Sequence, residues 1–202
     1  MSYLKALQLI TTKKDLAALL GVKASFLTYT LYLLKPNTQY TQFKIPKKNG
    51  GERIINAPNG KLKTLQSNLS NLLLNCIDEI NEKKFPKSEV LKPSKDQVKY
   101  SQILKVKISS AEIKQQPSLS HGFVRNRSII TNAMMHLGKK NVLNINLKNF
   151  FDSFNFGRVR GFFIKNENFK LDPKIATVIS QIACYDNKLP QGSPCSPAIL
   201  NL

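Results

Sequence analysis

The spacing of apolar residues changes at Tyr40, and that change narrows the fold more than any other feature of the chain. Before it, a cap at Thr11-Thr12-Lys13-Lys14-Asp15 leads into Leu16, Leu19 and Leu20 at helical spacing. Gly21 then interrupts, and Phe26, Leu27, Leu31 and Leu34 resume the same period. From Tyr40 the period is two. Tyr40–Pro46 and Arg53–Ala57 read as strands, and Lys47-Lys48-Asn49-Gly50-Gly51 between them carries the Asn-Gly hairpin signal. Pro58-Asn59-Gly60 closes this unit, and Leu62–Ile80 returns to helical spacing with Leu62, Leu65, Leu69, Leu72 and Leu73 on one face. Helix, hairpin and helix thus follow one another along the chain.

The remainder divides unevenly. Residues 82–117 hold nine lysines, four acids and three prolines with little periodicity, and read as a basic insertion with one strand at Gln102–Ile108. That run fits either a solvated surface or a track for a nucleic-acid backbone. Ser128–His136 reads as helix and Lys140–Leu147 alternates as a strand. Phe150, Phe151, Phe154 and Phe156 follow, then Val159–Ile164 with Phe162 and Phe163. Pro173–Cys184 is an apolar helix, Leu189–Pro197 a Gly/Pro turn, and Pro197 opens a last helix. The first helical stretches fit two readings, a helix-turn-helix with phosphate-contacting lysines or an amphipathic pair packed on a neighbour.

Charge narrows the partner. The 202 residues hold 31 Lys+Arg against 12 Asp+Glu, a formal charge of +19, which favours a polyanion, either nucleic acid or an acidic membrane surface. No apolar run approaches the roughly 20 residues that span a bilayer. The start Met1-Ser2-Tyr3-Leu4-Lys5 lacks a basic-then-apolar layout, which predicts a cytoplasmic protein. Cys76, Cys184 and Cys195 are too widely spaced for a disulfide scaffold or a cysteine zinc cluster, and His121 and His136 are too few for a histidine cage.

Four pieces then arrive in an order that resembles the N-terminal half of retron-type bacterial reverse transcriptases, which are RNA-directed DNA polymerases. They are Ile45-Pro46-Lys47-Lys48 through Gly51-Glu52-Arg53-Ile54; His121-Gly122-Phe123 with Arg127-Ser128-Ile129; Asn132-Ala133-Met134-Met135-His136, similar to an N-A-x-x-H element; and Leu189-Pro190-Gln191-Gly192-Ser193-Pro194 with Ser196-Pro197. Each is weak alone, and the ordered set is specific. The resemblance covers roughly residues 40–202 apart from the insertion. It implies an α+β fold with reverse-transcriptase-like fingers and an incomplete palm behind an N-terminal helical pair. The expected divisions are 1–39, then 40–139 as fingers with the insertion at 82–117, then 140–202 as partial palm.

The resemblance also implies roles. Lys47 and Arg53 would bind triphosphate oxygens, Phe151 would exclude a ribose 2′-hydroxyl, and Gln191 and Gly192 would support the nascent base pair and template. Arg127, Asn132 and His136 would contact RNA. A surface lysine, a core phenylalanine and a plain loop remain the structural alternatives. Implied partners are structured RNA, an RNA–DNA hybrid and an effector protein, with no membrane, in a family linked to antiphage defence.

The family's cofactor is Mg²⁺, which wants anionic oxygen ligands. Where the family pattern reads N-I-D-L-x-D-F-F, this chain has Asn144-Ile145-Asn146-Leu147-Lys148-Asn149-Phe150-Phe151. A neutral amide at Asn146 predicts metal affinity lower by orders of magnitude. Asp152 lies six residues on, about 20 Å along a strand, and cannot simply replace it. The family's Tyr-x-Asp-Asp turn is expected beyond Leu202, so the 202 residues are not expected to polymerise DNA. A truncated or decayed gene product and a purposeful non-catalytic subunit both fit, as does a structured-RNA-binding module without chemistry. A helix-turn-helix regulator on residues 11–34 accounts for nothing beyond Leu34.

Overall fold

The computed structural model describes residues 2–47, 50–84, 95, 120–125 and 127–202. The strand expected at Gln102–Ile108, most of the basic insertion, and the Lys48-Asn49 step of the hairpin lie outside them. Contacts divide the chain into two units: Met1–Cys76 with Lys148–Leu200 and Leu202, and Ile77–Leu147 with Asn201.

In the first unit, short capped helices come first. Ser2 caps α1 (Tyr3–Leu9) by accepting the Lys5 N–H, and Thr12 caps α2 (Lys13–Leu19) by accepting the Asp15 N–H. Gly21 takes φ +66°, and Val22 N–H returns to the Ala17 carbonyl at 2.9 Å, so the expected helix stop is a left-handed cap. The chain resumes as α3 (Ala24–Thr28) and runs on as a π-helical turn, Tyr29–Leu33. Leu16, Ala17, Leu20, Leu27 and Leu31 are buried, and Asn68 donates to the Leu20 carbonyl at 2.8 Å. The pair therefore packs into the core of its own unit. Among the described residues no single helix is long and apolar enough to cross a membrane.

The hairpin forms as the alternation requires. β1 (Tyr40–Pro46) pairs antiparallel with β2 (Glu52–Pro58), in a register running from Tyr40↔Pro58 to Pro46↔Glu52. At its tip, Gly50 and Gly51 take φ +83° and +82°, a conformation that glycine adopts without a side-chain clash. α4 (Gly60–Lys84) extends the leucine-rich helix at both ends, with Leu62, Leu65, Leu69 and Leu73 fully buried.

The second unit contains α5 (Ile129–Met135), closed by a capping box between Ser128 and Thr131. Beyond it the expected strand at 140–147 is absent: Asn141–Leu147 has no ladder partner among the described residues, and Leu143 is 83% exposed. Alternation marks a strand only when a neighbour supplies the hydrogen bonds and covers one face.

Back in the first unit, Phe151–Ser153 is a single 3₁₀ turn. α6 (Phe156–Lys165) and α7 (Pro173–Ala183) follow, the latter capped by Asp172 with Pro173 in its first turn. Phe163 and Phe169 meet edge-to-face at 5.4 Å in the core. α8 (Ser196–Leu200) begins beside Pro197 as expected.

The Leu189–Pro194 turn lies against β2. Asn56 N–H donates to the Gln191 carbonyl at 2.7 Å, and a Cβ on Gly192 would stand 2.7 Å from Ile55 Cγ2 and 2.9 Å from the Asn56 oxygen. Gly192 also has φ +112°. Gly192→Ala is expected to cost about 2–4 kcal/mol in urea melts, from overpacking plus backbone strain. A loss below about 1 kcal/mol would mean that the turn is not seated there.

Burial pushes the thiols of Cys184 and Cys195 up to about 12 from an ordinary 9.0. Below pH 9 both the folded and the unfolded chain keep these protons. Between about 9 and 12 only the unfolded chain releases them, so this contribution to stability is lost as pH rises through that window. The expected result is a steeper alkaline fall in Tm for the wild type than for Cys184→Ala/Cys195→Ala; parallel curves would refute it.

Candidate functional site

Five of the residues singled out in the sequence lie in the first unit: Lys47, Arg53, Phe151, Gln191 and Gly192. A chain of backbone hydrogen bonds ties their segments together. Lys47 is exposed at the hairpin tip, where its N–H donates to the Gly51 carbonyl at 3.0 Å and its carbonyl accepts from Gly50 at 3.2 Å. Arg53 is exposed on β2 opposite Ile45, on the same strand face as Ile55 by the two-residue alternation. Ile55 is the side chain against which Gly192 rests. The turn thus occupies the open edge of the strand that carries Arg53.

The same turn is anchored from the other side. Tyr185 and Lys188 exchange backbone hydrogen bonds at 2.8 and 3.0 Å around Asp186 and Asn187, which take φ +46° and +61°. Two adjacent left-handed residues of this type make a tight primed turn. Asn187 then accepts the Phe156 N–H at 3.0 Å, and Leu189 N–H donates to the Phe154 carbonyl at 3.0 Å. Lys188 pairs with Asp152 at 2.9 Å. These contacts fasten the Phe151–Ser153 turn to the segment that leads into Gln191. Phe151 itself is half-buried and meets Phe150 edge-to-face at 6.3 Å, so it is neither a fully sealed core residue nor a free surface ring.

A buried polar cluster lies beneath the turn. The Gln66 amide donates to Tyr40 Oη at 2.6 Å and to the Ile182 carbonyl at 2.8 Å, while Ser193 Oγ donates to Gln66 Oε1 at 2.7 Å. Burial holds the Tyr40 phenol protonated well above its usual range, against the opposing effect of the Gln66 hydrogen bond. Sequence reading missed Gln66 and Ser193; the available signal was one glutamine set among leucines at helical spacing. It missed the Asp186-Asn187 turn as well, whose dipeptide is a turn signal in its own right.

Arg127, Asn132, His136 and Asn146 lie in the second unit. Asn132 and His136 are exposed on one face of α5 and its C-cap, four residues apart. Arg127 is half-buried, its guanidinium donates to the Ser120 carbonyl, and burial lowers its pKa. His121 bonds Thr131 Oγ1 at 2.9 Å; burial, then the charges of Arg127 and His136, keep its pKa below the ordinary value. Arg125 pairs with Asp78 at 2.8 Å.

Asn146 is exposed. Its side chain offers a neutral carbonyl; in the other unit Asp152 pairs with Lys188, and among the described residues no three His, Cys, Asp or Glu side chains come together.

No protein-family model matches the chain. Individual proteins do. It is 28% identical over 207 residues to the Retron Mx65 reverse transcriptase of Myxococcus xanthus, covering 94% of this chain and 40% of that protein. It is 41% identical over 83 residues to the Retron Ec86 reverse transcriptase of Escherichia coli, covering 41% of this chain and 25% of that protein. A third relative, the Retron Mx162 reverse transcriptase of Myxococcus xanthus, is 27% identical over 95% of this chain and 36% of its own length. The chain therefore spans less than half the length of each of these relatives. The similarity to the two Myxococcus xanthus proteins runs across nearly all of its residues, and the chain is similar to retron reverse transcriptases.

Proposed function

We propose that this chain holds structured RNA and an RNA–DNA hybrid in the manner of a retron-type reverse transcriptase, without transferring phosphoryl groups itself. The observation that carries the reading is the seating of the Gln191-Gly192 turn on β2, which unites a basic hairpin and a backbone turn in one unit. In this reading Lys47 and Arg53 hold triphosphate or backbone phosphate oxygens through charge-assisted hydrogen bonds. Gln191 and Gly192 present backbone to the paired strands, and Phe151 faces the sugar. Asn132 and His136 contact the RNA, with Arg127 shaping the loop beside them. The net charge of +19 supplies the sequence-independent share of the affinity.

The inactive half of the proposal rests on Asn146. Where the family carries a metal-binding aspartate, an amide leaves magnesium with no anionic oxygen, so two-metal phosphoryl transfer lacks its clamp. An effector protein as partner and a role in antiphage defence, in the cytoplasm, complete the reading on the strength of the family resemblance.

A filter-binding titration against salt tests the binding half. Structured RNA and RNA–DNA hybrid are expected to bind more tightly than an arbitrary polyanion of equal charge. Lys47→Ala and Arg53→Ala should each lower the salt slope by about 1 and weaken binding across all sequences. Equal affinity for every polyanion would reduce the interaction to charge alone. Purified chain supplied with template–primer, nucleotides and Mg²⁺ is expected to incorporate none; robust templated incorporation would overturn the inactive assignment.

A further inference from the structure

Gln66 is a polar residue in an apolar stripe. It is fully buried on α4 between Leu62, Leu65 and Leu69, each also fully buried. A leucine would suit that stripe better, because an amide withdrawn from water is costly unless its hydrogen bonds are replaced. Here they are replaced by partners from separate parts of the fold: Tyr40 Oη on β1 at 2.6 Å, the Ile182 carbonyl in α7 at 2.8 Å, and Ser193 Oγ in the turn at 2.7 Å. A planar carboxamide fixes the directions of its donors and its acceptor, so satisfying all three partners together sets their relative positions.

We propose that Gln66 is the positioning residue that holds the Gln191-Gly192 turn in register with the basic hairpin. Ser193 is the next residue after Gly192, and its hydroxyl sits between Gln66 Oε1 and Cys195 Sγ, 3.3 Å away. The turn is therefore held at two points, by the Ser193 side chain from beneath and by the Gln191 carbonyl at the β2 edge. The Tyr40 arm reaches the strand that pairs with β2. One side chain thus bonds both the hairpin and the turn, and a shift of either breaks a buried hydrogen bond. The functional weight of this positioning rests on the proposed nucleic-acid reading; the positioning itself does not.

The test uses the full chain, with Gln66→Met to remove every arm and Ser193→Ala to remove only the arm to the turn. Amide exchange read by NMR follows Asn56, whose N–H donates to Gln191, against Ile179 in the buried centre of α7. Ser193→Ala is expected to speed Asn56 exchange by about tenfold while Ile179 is unchanged, the signature of local release rather than general loosening. Gln66→Met should do the same or more, and should weaken hybrid binding in the filter assay. If Gln66→Met fails to fold, Ser193→Ala decides. Asn56 protection falling no more than that of Ile179 in Ser193→Ala would overturn the proposal. If the wild type shows no preference for hybrid while Asn56 responds as expected, the nucleic-acid reading fails and the positioning role stands.

Discussion

The single interaction on which the first unit's architecture turns is the edge contact between β2 and the segment 189–194. A two-stranded hairpin is marginal in water by itself, because one face and both edges remain open. Here β1 occupies one edge of β2, and Gln191 takes an N–H from the other at 2.7 Å. That approach needs a residue without a side chain at 192, since a methyl group would overlap both Ile55 and the Asn56 backbone. The Asp186-Asn187 turn, the Phe154–Leu189 hydrogen bond and the Lys188–Asp152 pair all bring the chain to that point at the correct angle. Exposed ion pairs such as Lys188–Asp152 contribute little on their own, so the backbone ladder carries most of the alignment.

A surplus of positive charge and a two-metal site are opposite electrostatic arrangements. A surplus of 19 positive charges attracts polyanions without any fixed geometry. Catalysis by two metals needs the opposite arrangement, a small concentration of anionic oxygens at one point.

Much of this was legible in the residues. The change of period at Tyr40 located the hairpin, because two-residue alternation with a glycine-bearing tip has few other solutions. Gly21 and Pro173 marked a stop and a start, and both act through backbone geometry that is local to the sequence. Leu65 was readable as core from helical spacing. The stretch 140–147 was misread, since alternation describes a strand's faces and is silent on whether a partner strand exists. At Phe150–Phe154, where spacing alone names no element, the carbonyls of Asn149 and Phe150 close a tight turn through Ser153. Gln66 was invisible because its value lies in residues 26 positions before and 127 after it, a separation no local window spans.

The cysteines carry a consequence of a different kind. Cys76, Cys184 and Cys195 are all buried, and all belong to the same contact unit. A sealed thiol neither oxidises nor alkylates until its surroundings open. Trapping by a slow alkylating agent, followed over days, would therefore clock the rare breathing of that unit alone. Residues 77–147 contain no cysteine and would stay silent, so the native sequence reports on the first unit without interference from the second.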